Sequence, residues 1–128
     1  MEEMVVKMMY TNIIETLFTR FPFLEQKYLE EGDYIFGLAH LCFPIVFVPY
    51  IEEIVKNNDI EAIICVCEFL EDMAVCADEM VSELLVVSVL ENILSERSLV
   101  LVLKKYLKVN TMGWLLFLEK AYGWDDKK

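Results

Sequence analysis

Glycine and proline are scarce in this sequence, four and three among 128 residues, and there is a single histidine, His40. So little chain-breaking residue excludes a loop-rich or low-complexity protein, and 57% hydrophobic residues exclude disorder. The four cysteines, Cys42, Cys65, Cys67 and Cys76, show no C-x-x-C spacing and stand among apolar residues. They read as buried free thiols of a reducing compartment. No apolar run reaches the length of a membrane helix, and the opening Met1-Glu2-Glu3 lacks the positive charge of a secretory signal, so a cytoplasmic location is expected. Basic residues are also few: 11 against 22 acids give a net charge of −11. Phosphate backbones and anionic membrane surfaces repel such a chain, so neither nucleic acid nor membrane is an expected ligand.

The breaks that do exist fall between segments of helical period. Apolar positions recur at helical spacing from Glu3 to Thr19, Phe21-Pro22 interrupts them, and a second helix runs to Gly32. Asp33 is placed to cap the next element. Phe43–Val48 is β-branched and aromatic, so a short strand is conceivable, but a helix bent at Pro44 and restarted near Pro49 suits the surroundings better. Asp59 is a natural N-cap for Ile60–Val75, Asp78 for a helix to Leu94, and Ser95 for one to Leu107. A last helix covers Met112–Tyr122, started by Asn110-Thr111 and stopped by Gly123. Leu84, Leu85, Val87, Val89, Leu90, Ile93 and Leu94 surround the fifth of these segments, which marks it as central and buried. The expectation is an all-α domain over residues 1–124, about seven helices in a compact bundle or a short HEAT-like stack of antiparallel pairs, with residues 125–128 as a solvated tail.

Charge is distributed unevenly. No lysine or arginine occurs between Lys56 and Arg97, and residues 57–96 hold ten acids, so this window carries −10 and the remainder −1. On a helix with about 100° per residue, Glu68 and Asp72 lie about 20° to either side of Glu61, with Glu71 about 80° away. Asp78, Glu79 and Glu83 follow across a short break. Together with Asp59 these eight residues are expected to form one acidic, partner-binding patch. Ordinary solvation of a helix face explains part of this charge, and acids in a first turn favour the helix dipole. Like charges four apart, as in Glu68–Asp72 and Glu79–Glu83, are instead mildly unfavourable, which points toward a cationic partner.

Signatures of catalysis are missing. His40 lies in an apolar run and reads as a partly buried core residue, and at i, i+2 it cannot face Cys42. There is no nucleophile elbow, no zinc or di-iron spacing, no EF-hand loop and no phosphate-binding glycine loop. No catalytic, metal or cofactor-binding residue is assigned, and an enzyme is not expected. The aromatic segment Phe43–Tyr50 offers an alternative role, the apolar heart of an adaptor interface. Trp114 and Trp124 read as packing residues.

Two stretches carry a resemblance. Residues 59–74, with Phe69-Leu70-Glu71-x-Met73-Ala74, and residues 81–94, with Leu84-Leu85-x-Val87-Ser88-Val89-Leu90-Glu91, resemble small all-helical bacterial immunity proteins encoded beside polymorphic or contact-dependent growth-inhibition toxins. The closing Ala121-Tyr122-Gly123-Trp124 is similar to the end of that family. The resemblance covers about half of the chain. It implies binding and neutralising a cognate toxin domain, of cationic nuclease type, with complementary charge steering the encounter.

Overall fold

Periodic apolar residues close into helices wherever a cap or a break allows, and the computed structural model describes residues 7–124 in these terms. A 3-10 turn at Tyr10–Asn12 leads into α1 (Ile13–Arg20) and then α2 (Leu24–Glu31). A second 3-10 turn, Asp33–Ile35, precedes α3 (residues 39–56) and α4 (Ile60–Ala74). The chain finishes with α5 (residues 79–93), α6 (Arg97–Leu103) and α7 (Val109–Ala121). Among the described residues there is no strand, and the fold is an all-α bundle of seven helices. None of these helices is long and apolar enough to cross a membrane.

Some boundaries move from their sequence-based positions. The first helix starts later: Lys7–Met9 are not helical, with Met9 extended, and residues 3–6 lie outside the described residues, as do 125–128. Ser95 does not cap α6, whose N-terminus at Glu96 has no side-chain cap. The turn between α3 and α4 follows its residues closely. Asn58 takes φ +56°, its N–H donates to the Val55 carbonyl and that of Asp59 to the Ile54 carbonyl, a Schellman closure. Gly123, at φ +77°, ends α7 the same way with bonds back to Lys120 and Glu119.

Phe43–Tyr50 is helical. Residues 43–47 form a π turn in which the Val48 N–H reaches the Phe43 carbonyl, five residues back. Pro44 and Pro49 cannot donate to an α-type ladder, and a widened turn relieves the clash of their rings with preceding carbonyls. A second π turn, Leu85–Leu90, lies in α5, where the Glu91 N–H reaches the Val86 carbonyl. The Asn92 side-chain amide donates to the Ser88 carbonyl at 3.0 Å, one turn back on the same helix. The two π turns pack against each other.

Phe43, Val46, Phe47 and Val48 are buried, so the expected apolar adaptor surface at Phe43–Tyr50 is instead core. Phe47 meets Phe21 and Phe69 with ring centroids 5.6–5.7 Å apart, in edge or tilted geometry. Leu84, Leu85, Val89, Leu90 and Ile93 are wholly buried, which makes α5 central, whereas Val87 is exposed. Cys42 and Cys67 are buried free thiols, both pushed up to about 12 by burial. Cys76 is half-buried and donates to the Met8 carbonyl, and Cys65 is exposed, contrary to the expectation of four buried thiols.

Candidate functional site

The acidic window caps the N-termini of its own helices before it supplies a surface. Asp59 caps α4 by accepting the Ala62 N–H at 3.2 Å. Asp78 caps α5 by accepting the Met80 N–H at 3.0 Å, and its other oxygen accepts the Tyr10 N–H at 2.8 Å, tying the first turn of the chain to α5.

Glu71 has a further structural task. One of its oxygens accepts from the Thr111 N–H and hydroxyl, both at 2.9 Å; the other accepts from the Asn110 N–H at 3.1 Å and side-chain amide at 2.7 Å. It therefore caps α7 from across the fold, where the local N-cap, Lys108, offers no side-chain acceptor. Burial raises the Glu71 carboxyl, but the hydrogen bonds from Thr111 and Asn110 outweigh it and hold the group below the usual carboxylate range.

Asp72 pairs with Arg20 at 2.9 Å, and the same guanidinium stands 5.1 Å from the centre of the Phe69 ring. Arg20 and Lys108, both from outside the acidic window, line a depression with Glu68, Glu71 and Asp72. Glu79 and Glu83 face a different groove, of about 420 Å³, with Ser82, Val86, Val87 and Trp114. The single continuous patch expected from sequence is thus two depressions, one of them partly neutralised.

Four of the eight predicted residues keep unengaged carboxylates. Glu61, Glu68, Glu79 and Glu83 are exposed and form no side-chain hydrogen bond or ion pair among the described residues. Asp59, Glu71, Asp72 and Asp78 are engaged in caps or an ion pair.

Glu119 has no role in the sequence reading, and the two tryptophans depart from theirs. Glu119 is 2% exposed and holds Arg97 at 2.5 Å and Lys104 at 2.9 Å, fastening α6 to α7. Its burial raises the carboxyl, and the bonds from Lys104 and Arg97 turn the net shift downward. Its place four residues after buried Leu115 was the available signal. Trp114 is 36% exposed in the groove described above and meets Phe117 edge-on, with centroids 5.9 Å apart. Trp124 is exposed too, beneath the Arg97 guanidinium at 5.1 Å, so neither tryptophan is a core packing residue.

His40 is exposed, not a core residue, and its Nδ1 shares a 2.7 Å hydrogen bond with the Ser88 hydroxyl. Ser88 is buried in the π turn of α5. No carboxylate hydrogen-bonds the His40 ring among the described residues. Among them there is also no cluster of His, Cys, Asp and Glu able to hold a metal ion.

No curated protein and no solved structure matches the chain. A family model described as a domain of unknown function, DUF7674, matches residues 14–120, from α1 through almost all of α7. That span takes in both depressions and every predicted acidic residue, and the chain belongs to the DUF7674 family.

Proposed function

We propose that this chain is an immunity-type binding protein of the bacterial cytoplasm, which holds a cationic protein toxin domain through its acidic surface and thereby neutralises it. The supporting observation is that Glu61, Glu68, Glu79 and Glu83 stand exposed without a cationic partner among the described residues, in a window of 40 residues that contains no base. A chain that needed these acids only for solubility would gain helix stability from interspersed lysines four residues away. Complementary charge would accelerate capture of a basic domain, and rigid helices present the carboxylates without an ordering cost. A nuclease-type toxin suits this chemistry, because a groove built for phosphate accepts carboxylates in its place.

The test is co-expression. Each secreted-protein C-terminal domain encoded beside this gene is expressed with and without the chain, and growth is followed. Rescue by the wild-type chain, weakened by Glu61→Lys with Glu68→Lys and Glu79→Lys, supports the reading. Toxic domains that all remain toxic would remove it. Association that slows steeply between low and high salt is the accompanying kinetic signature.

A further inference from the structure

We propose that the groove between α5 and α7, floored by Trp114 and Val87 and rimmed by Glu79 and Glu83, seats a cationic amphipathic helix of a partner protein. This rests on reading the chain as a binder of a cationic partner, and it names where and how that partner is held.

Helix α7 is apolar on both sides. Leu115 and Leu118 enter the core, whereas Leu116 and Phe117 face outward, with Phe117 61% exposed. A helix at the surface of a self-sufficient bundle carries polar residues on its outer face. Trp114 and Phe117 meet edge to face, and the groove joins Trp114 to Val86 and Val87 of α5, Val87 being 42% exposed. The exposed apolar residues are therefore one strip across two helices, not scattered singly.

The course of the groove suits a helix. Glu79 and Glu83 lie beside Trp114, and further along the Glu91 carboxylate accepts the Tyr122 hydroxyl at 3.3 Å, so α5 and α7 run side by side in the same direction. From Glu79 to Val87 the lining rises about 12 Å, matching two turns of an occupant whose anchors recur at i, i+3 or i+4 and i+7.

Charge selects among occupants. The rim carboxylates Glu79 and Glu83 have no cation among the described residues. A second copy of this chain would bring the same acids and a net charge of −11 against them. Lysine or arginine beside an apolar anchor answers both the rim and the floor, in the arrangement of an apolar interface centre with a polar edge.

The test uses the full chain carrying Trp124→Phe, so that fluorescence reports Trp114 alone. It is titrated with a synthetic Leu/Lys amphipathic helix of about 15–18 residues, with its Leu/Glu counterpart, and with a scrambled Leu/Lys peptide of equal charge but no apolar face. The expected result is a blue shift of Trp114 emission with the Leu/Lys helix only. Phe117→Ser should weaken binding about tenfold by the same emission, Trp114→Ser, which leaves no tryptophan, should do so in calorimetric titration, and Glu79→Gln with Glu83→Gln should weaken it and flatten its salt dependence. Glu52→Gln with Glu53→Gln, exposed on α3 outside the acidic window, should leave the peptide affinity unchanged. Circular dichroism confirms that each variant is folded.

Absence of binding, equal binding of the Leu/Glu helix, or unchanged affinity of both the Trp114 and Phe117 variants overturns the proposal. Equal binding of the scrambled peptide overturns the groove while leaving an acidic binder standing. Conversely, groove binding without rescue from any toxic domain removes the immunity reading and leaves the groove in place.

Discussion

Glu71 should be worth more to this fold than any other acid in its window, and the reason can be tested directly. In Glu71→Gln one oxygen remains to accept from Thr111, but an amide nitrogen replaces the oxygen that accepts from the Asn110 N–H and side chain, placing donor against donor. Two charge-assisted bonds are lost, and a negative charge is removed from the positive end of α7. Hydrogen bonds to charged groups contribute about 1.5–3 kcal/mol each, but the exposed Asn110 recovers water, so the expected net loss is about 2 kcal/mol. For a chain of this length that lowers the melting temperature by about 6–10 °C. The carboxyl is held below its usual range in the folded state. Its contribution is therefore present above the unfolded carboxylate range, and it is lost as pH falls through the folded value. Thermal melts of wild type and variant at pH values descending from neutral into the acid range give the answer. The two should differ clearly at neutral pH and converge in acid, where the wild-type carboxyl is protonated too. Equal midpoints at neutral pH, or a gap that does not narrow in acid, would refute the assignment of Glu71 as the cap of α7.

Three further outcomes are expected. Glu119→Ala should destabilise by about 2–3 kcal/mol in urea unfolding, and Glu119→Leu by less, because the latter fills the volume while Arg97 and Lys104 regain solvent. Asp72→Asn should cost under about 1 kcal/mol, as exposed pairs do, and Arg20→Ala more than Asp72→Asn, since Arg20 also covers the Phe69 ring; a reversed order in chemical denaturation would contradict this. A thiol reagent at mildly alkaline pH should modify exposed Cys65 rapidly in the native protein and leave Cys42 and Cys67, with pKa values of about 12, untouched until unfolding, as mass spectrometry would read.

What the sequence disclosed and what it hid divide along contact distance. The helices, the caps at Asp59 and Asp78, and the stop at Gly123 depend on neighbours within a few residues, and periodicity with cap chemistry identifies them. Glu71 looked like one more acid on a stripe because its partners stand 39 and 40 positions later. Arg20 and Lys108 likewise enter the acidic region only through folding. Phe43–Tyr50 was ambiguous because two prolines in an apolar run fit a surface loop, a strand and a buried π turn alike. The composition of α7 concealed Trp114: a helix apolar all round looks buried, and its outward side is evident only once α4 and α5 are seen to cover the other.

The paired π turns bear on how this chain tolerates changes in length. Buried positions Ala39, Phe43, Phe47 and Ile51 follow one another every four residues, a spacing that in an unbroken α-helix drifts about 40° per step around the axis. The widened turn takes up that drift and keeps the stripe buried. Removing one residue from 43–47 would restore ordinary winding, and eleven steps of about 100° would still bring Ile51 within about 20° of the direction of Ala39. A one-residue deletion there should therefore be better tolerated than a one-residue insertion, which would turn Ile51 and Ile54 about 100° out of the core, whereas an insertion between α2 and α3 falls where the exposed Gly37 and Leu38 already interrupt the helical path.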